Sequence, residues 1–261
     1  MTTVLITGAS TGIGRALALA WADRRATVVL AARSIDALRE VAREVEARQG
    51  RAVVAPGDVT DSAFRRTLVE RAIEAGGGLD VLVNNAGRGY YSSIAKIELQ
   101  SLRGLFELNV FAPLELSQLA LPHLERSRGA IVMVSSVAGV VAAPRYGAYS
   151  ATKFALEAMS MSMRAEVRAL GIRVLVVRPG PVDTPFRANA ARGEGEAGYD
   201  KPGPRSQSAE EIAKRTLRAI DRGAPVDETS PFVRFASAVS RYSPAAMRFA
   251  LGRMATKPPQ E

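Results

Sequence analysis

The 261-residue chain contains no cysteine and a single histidine, His123. Without thiols it has no disulfide, no thiolate metal site and no cysteine nucleophile. One imidazole leaves little for a histidine-based metal centre, and no metal is expected. Acidic side chains are also scarce, with 26 Asp and Glu against 35 Lys and Arg, a formal net charge of +9. That balance raises nucleic acid or an anionic membrane as partners. The cations are 30 Arg and only 5 Lys in an alanine-rich chain, a profile that GC-rich coding produces unaided, so no nucleic-acid partner is expected. Long hydrophobic runs are missing too. The longest weakly polar stretch, Ala130 to Pro144, is too short and too interrupted by Ser and Gly to cross a bilayer. No charged and then apolar leader precedes the apolar run at Val4, so the expectation is a cytoplasmic protein without a secretory signal. At 47% hydrophobic and 23% charged the chain is too apolar for disorder, and its length suits a large α/β domain.

Short apolar runs alternate with helical patterns. Strands are predicted at Thr3–Thr7, Thr27–Ala31, Ala52–Ala55, Val81–Val83, Ala130–Val134 and Arg173–Val177. Between them Ile13, Leu17, Ala20 and Trp21 recur at helical spacing, as do Ile35, Leu38, Ala42 and Val45. Long helices are predicted over roughly 99–127 and 150–170. The pattern predicts one α/β domain over 1–228, a doubly wound, Rossmann-like parallel sheet with helices on both faces. A Gly-, Pro- and charge-rich stretch over 185–207 reads as a linker or as a lid over a site. The stretch Arg222–Thr229, with Pro225 and two acids, makes a poor final strand, so a seventh strand is doubtful.

Helix starts follow at Ser208-Ala-Glu-Glu211, Ser230-Pro231 and Ser243-Pro244. The last two predict two short helices in a basic amphipathic extension over 229–261. It carries the apolar stripe Phe235, Val239, Tyr242, Ala246 and Phe249, and a net +4 over its last 31 residues. Such a segment packs over a pocket, against another subunit or on an anionic membrane; packing is the expectation, with peripheral membrane contact as the alternative.

Thr7-Gly8-Ala9-Ser10-Thr11-Gly12-Ile13-Gly14 joins the first strand to the first helix. Its glycines permit a tight turn, and the helix N-terminus offers free N–H groups to a phosphate. Nineteen residues past Gly14, where an acid would bind a ribose 2′-hydroxyl, stands Arg33. A guanidinium there favours a 2′-phosphate, hence NADP(H) over NAD. The same loop also spells Gly-x-Ser-x-Gly, which would make Ser10 a hydrolase nucleophile. His123, its only possible base, lies near the end of a helix.

Further motifs follow in order: Asp58-Val59, Asn84-Asn85-Ala86-Gly87, Asn109, Ser136, Tyr149-x3-Lys153 and Pro179-Gly180-Pro181-Val182-x-Thr184. With the glycine loop, this set resembles the short-chain dehydrogenase/reductase family from residue 3 to about 185. The resemblance implies hydride transfer between a nicotinamide cofactor and a carbonyl or alcohol. Tyr149 is then the general acid/base, Ser136 bonds the reacting oxygen, Lys153 holds the nicotinamide ribose, and Asn109 supports a proton-relay water. Cofactor contacts carry over to Gly8, Ser10, Thr11, Gly12, Ile13, Gly14, Arg33, Asp58, Val59, Asn85, Ala86, Gly87, Pro179, Gly180, Val182 and Thr184. Asn84 either contacts the cofactor or braces neighbouring strands. Thr11, where NADP-preferring members often carry a base, leaves Arg33 as the sole carrier of that preference. A nucleotide-binding regulatory protein without turnover is the rival reading, and the intact tetrad argues against it.

The chemistry of the pair is plain. Tyr149 and Lys153 stand one turn apart on a helix face, where an ammonium is expected to lower the phenol pKa. The substrate pocket is expected from Arg88, Tyr90, Tyr91, Ser136, Val137, Tyr146 and Phe186, a set suited to a lipid-, steroid- or retinoid-like molecule. Ser135 is expected to face away from it. The two long helices resemble the family's dimerising helices, so a homodimer or homotetramer is expected.

Overall fold

Runs of Val, Ile, Leu and Ala with both faces buried, such as Thr3–Thr7 and Ala130–Val134, belong in a parallel sheet covered on both sides. The computed structural model describes residues 1–193 and 206–255 and contains that sheet. Its strands are β1 (Thr3–Thr7), β2 (Thr27–Ala32), β3 (Arg51–Pro56), β4 (Val81–Asn84), the two-residue β5 (Tyr90–Tyr91), β6 (Ala130–Val134), β7 (Arg173–Arg178), the two-residue β8 (Ala191–Arg192) and β9 (Val226–Glu228). The helices are α1 (Gly12–Ala22), α2 (Ile35–Ala47), α3 (Ser62–Gly76), α4 (Leu99–Phe106), α5 (Ala112–Ser127), α6 (Gly147–Glu166), α7 (Ala209–Asp221), α8 (Pro231–Tyr242) and α9 (Pro244–Ala255). Seven strands form one parallel sheet in the order β3-β2-β1-β4-β6-β7-β9. The single doubly wound α/β domain expected from the sequence is what the chain adopts.

Alternate residues of each strand feed two cores. Val4, Ile6, Val28, Leu30, Val83 and Val132 pack with α1, α2 and α7 on one face. Leu5, Val29, Leu82, Ile131 and Val174 pack with α3, α5 and α6 on the other. Trp21 lies in the first core, as its spacing predicts.

Three elements depart from expectation. The doubtful seventh strand exists: β9 pairs in parallel with β7, Val176 opposite Val226. It is an edge strand. Pro225 precedes it and costs no ladder donor, and the Pro225 carbonyl accepts from Val176 N at 3.0 Å. Its two acids meet Arg215 (to Asp227, 2.7 Å) and Arg178 (to Glu228, 3.0 Å). The helix predicted over 99–127 is interrupted by a π-helical turn at Glu107–Phe111, the kind of insertion often found at functional sites. The helix predicted from 150 starts at Gly147, which puts Tyr149 in its first turn.

Two of the three predicted serine caps form. Ser208 accepts from Glu211 N at 3.1 Å, and Ser230 accepts from Val233 N ahead of Pro231. Ser243-Pro244 separates α8 from α9. Of the stretch predicted as lid or linker, 194–205 lie outside the described residues. Its near end is tethered by the β5–β8 pair and its far end by a bridge between Val182 and Gln207. No helix among the described residues is long and apolar enough to cross a membrane.

Candidate active site

The candidate residues on loops follow the C-terminal ends of parallel strands, the edge where doubly wound sheets open a crevice. The glycine loop follows β1, Arg33 β2, Asp58 β3, Asn85 β4, Ser136 β6 and Pro179 β7. Together they line one cleft of about 2050 Å³. In the glycine loop, Gly8 and Gly12 adopt φ of +65° and +54°, conformations that side chains resist. The loop is clamped from β4: Asn85 Nδ2 donates to Thr7 O (2.9 Å) and Gly8 O (3.1 Å), while Thr7 Oγ1 accepts from Asn85 N and Ala86 N. Thr7 and Asn85 both belong to motifs visible in the sequence, but the clamp between them is displayed only by the folded chain.

The residues fit a dinucleotide. Thr11, the residue before α1, makes no side-chain cap, as at the starts of α4, α5 and α6. Thr11, Gly12 and Ile13 line the cleft, so the start of α1 offers it N–H groups for an anion. Arg33 is exposed at the cleft rim with no protein partner among the described residues. Asp58 commits Oδ1 to Thr60 N and Oγ1. Ser10, Ile13, Val59, Ala86, Gly87, Gly180, Val182 and Thr184 complete the wall. Gly14 does not line it: a Cβ there would stand 2.2 Å from Gly8 O, so this glycine serves close packing of α1 under the loop. Asn84 is a brace, donating to Ser117 Oγ at 2.9 Å in the core.

Tyr149, 4% exposed, lies beside Ser136, whose hydroxyl hydrogen-bonds the phenol and accepts from Ala138 N at 3.1 Å. Lys153 Nζ lies 5.7 Å from the Tyr149 ring centroid and donates to Val134 O at 2.9 Å. The expected lowering of the phenol by the ammonium is not what this arrangement yields. Burial raises the Tyr149 pKa well above its ordinary value, and the Ser136 hydrogen bond opposes it only in part. The same burial pushes Lys153 down to about 8, against a smaller pull upward from Glu157. Desolvation outweighs charge pairing here.

Asn109, on the π-helical turn, is buried and makes three hydrogen bonds. Its Oδ1 accepts from Arg88 N, and its Nδ2 donates to Arg88 O and to Thr152 Oγ1, all within 3.1 Å. Its amide positions the Arg88 backbone against α6, and Oδ1 keeps a second lone pair free to accept. Thr152, which the sequence reading missed, ties this link to Tyr149 by donating to Tyr149 O at 2.7 Å.

The substrate side is aromatic. Tyr146 stacks on Tyr91 at 4.6 Å between centroids and lies tilted against Tyr149 at 4.5 Å, and Phe186 lies 5.8 Å from Tyr149. Val137 and exposed Arg88 also line this end. Tyr90 does not. Neighbouring residues of a strand point to opposite sides, and Tyr90 is buried in a cluster with Leu105, Ala138, Ala148 and Tyr149. Ser135, expected to face away, lines the cleft, and its Oγ is buried with no partner among the described residues. Ser10 lines the cleft but His123 does not, so the hydrolase reading has no base. No group of His, Asp and Glu able to hold a metal occurs among the described residues.

Comparison with known proteins agrees with this geometry. A family model described as short chain dehydrogenase matches residues 2–195. Mouse dehydrogenase/reductase SDR family member 7B is 33% identical over 226 residues, 84% of this chain and 70% of that protein. Ketoacyl reductase HetN of a Nostoc species is 38% identical over 181 residues, covering 69% of this chain and 63% of its own. A short-chain dehydrogenase from Streptomyces avermitilis superimposes with a TM-score of 0.83 at 32% identity over 97% of both chains. An alcohol dehydrogenase from Thermococcus sibiricus, solved with 5-hydroxy-NADP, gives 0.75 at 27% identity over 85% of this chain and 91% of that one.

Proposed function

The chain belongs to the short-chain dehydrogenase family, and on that footing we propose that it is an NADP(H)-dependent oxidoreductase interconverting a carbonyl and an alcohol on a hydrophobic substrate, with Tyr149 as general acid and base. The observation that carries this reading is one continuous cleft. It joins an uncapped helix N-terminus and Arg33, which has no partner among the described residues, to a buried phenol hydrogen-bonded by Ser136 and walled by aromatic rings. The NADP derivative bound by the Thermococcus relative supports the cofactor class.

The α1 N-terminus would hold the diphosphate, Arg33 the 2′-phosphate, and Val182 and Thr184 the nicotinamide end, with Lys153 on its ribose. Bound NADPH supplies the hydride for the carbonyl carbon. Tyr149, protonated at neutral pH because burial raises its pKa, gives its proton to the carbonyl oxygen. Ser136 orients that oxygen by hydrogen bonding. Lys153, near pKa 8, is poised to return a proton to the phenolate. In the direction of alcohol oxidation Tyr149 must first lose its proton, so that rate climbs with pH while carbonyl reduction is favoured at neutral pH.

Self-association is read onto α5 and α6, next to which Phe111, Phe154 and Met161 are exposed. Light scattering is expected to report a dimer or tetramer, and a monomer would remove this part of the reading.

A screen of NADPH and NADH oxidation against aliphatic, aromatic and steroid carbonyls tests the function. Turnover with a strong NADPH preference is expected. Cofactor binding with no turnover of any carbonyl or alcohol would leave a nucleotide-binding protein instead.

A further inference from the structure

Beyond Tyr149 the cleft does not end. It continues between the two C-terminal helices and the segment that follows Ser136, which contributes Val141 and Pro144. On α8 the lining residues are Phe232, Phe235, Ala236 and Val239, at spacings i, i+3, i+4 and i+7. That is a single stripe two helical turns long, about 10 Å. On α9 Met247, Ala250 and Leu251 repeat the spacing. Every cleft residue supplied by these helices is apolar, while Arg234, Arg241, Arg248 and Arg253 lie off it. The wall is anchored. Val233 is fully buried against Gly180, and Ser240 Oγ donates to Val140 O at 2.6 Å. The stripe itself stays open: Phe235 is 69% exposed and Phe232 48%. Large exposed rings in a groove continuous with a reaction centre mark a binding surface. The volume of about 2050 Å³ is at least twice that of a pocket for one drug-sized ligand, roughly 300–1,000 Å³, so a dinucleotide and an extended second ligand both fit.

We propose that the α8–α9 groove is the tail-binding site of this enzyme, taking the unbranched hydrocarbon chain of a long-chain aldehyde or ketone, or of the matching alcohol, whose oxygen lies at Tyr149 and Ser136. The inference rests on the carbonyl–alcohol reading above and narrows it. An apolar stripe about 10 Å long, to which α8 and α9 add no polar side chain, suits one extended hydrocarbon chain. The helices thus set specificity, and the chemistry is independent of them.

The test is a series of aldehydes from butanal to dodecanal with NADPH, on the full chain and on Phe235→Asp, a substitution at an exposed position. In the unaltered protein kcat/KM is expected to rise by up to about fourfold per added methylene until the groove is filled. In Phe235→Asp the value for butanal is expected to stay within about twofold while the value for dodecanal falls to that of butanal. A flat profile, or a steroid ketone turned over faster than dodecanal, overturns the groove and leaves the carbonyl reading intact. Binding gives a readout without turnover. The fluorescent apolar probe phenylnaphthylamine is expected to be displaced by dodecanol and not by butanol, with that displacement lost in Phe235→Asp. Displacement without turnover of any carbonyl keeps the groove and removes the catalytic reading, and absence of displacement overturns the groove.

Discussion

The half of the cleft between β2 and β4 is lined largely by backbone and polar side chains, Arg33 among them, whereas the half beyond Tyr149 is lined largely by rings and aliphatic side chains, with Arg88 at its edge. In the first half position is fixed by hydrogen bonds and tight backbone contact. Asn85 grips two consecutive carbonyls of the glycine loop, and Gly14 lets α1 close under it. In the second half position is fixed by packing of α8 and α9 and by the packed rings of Tyr91, Tyr146 and Tyr149. The difference teaches that one fold can hold an invariant ligand with directional contacts and present a variable one to an adaptable apolar wall. Tyr149 and Ser136 stand at the join.

The strongest way to break the polar half is Gly14→Ala. Its Cβ would sit 2.2 Å from Gly8 O, so α1 or the loop must shift, at a cost of about 1–3 kcal/mol. A marked fall in Tm and weaker NADPH binding are expected. Gly104→Ala, where a Cβ meets nothing within 4 Å, is the control and is expected to hold or gain stability. Equal melting of the two variants would remove the close-packing role.

Next in size is Arg33→Ala. Loss of a charge-assisted hydrogen bond to phosphate is expected to weaken NADPH relative to NADH by roughly ten- to a hundredfold. Fluorescence titration with both cofactors checks it, and an unchanged ratio would deny Arg33 its ligand.

The smallest effect belongs to Lys153 at the join. Its folded pKa of about 8 lies below the ordinary 10.5, so between these values the unfolded chain binds more protons than the folded one. The destabilisation is therefore complete below pH 8 and is relieved as pH rises toward 10.5. Urea midpoints across that interval are expected to rise relative to Lys153→Met, and a parallel or falling course would contradict the burial of a titrating amine.

The two halves also differed in what the sequence revealed. The cofactor half was legible because its chemistry depends on residue type at fixed spacing: Gly8, Gly12, Arg33, Asp58 and Asn85 all line or clamp the crevice. The exceptions are instructive. Gly14 and Asn109 have the right identity but act on neighbouring backbone, which only the folded chain displays. β9 was doubtful because the residues that neutralise its acids, Arg178 and Arg215, come from other elements. The π-helical turn at Glu107–Phe111 has no compositional mark. Tyr90 and Tyr91 could be separated only once a strand set them on opposite sides. In the substrate half the amphipathic stripe of α8 was visible, but which face meets the cleft is decided by Val233 packing on Gly180. Apolar packing is set by partners distant in sequence, and periodicity alone does not name them.

The central claim is that the polar and apolar halves meet in a proton donor, Tyr149. The most direct measurement is kcat/KM for NADPH-dependent reduction of an apolar aldehyde by Tyr149→Phe, with the Kd for NADPH measured on the same preparation. A fall of roughly a hundred- to ten-thousandfold in kcat/KM with an unchanged Kd is predicted. Turnover within a few-fold of the unaltered protein would contradict the claim.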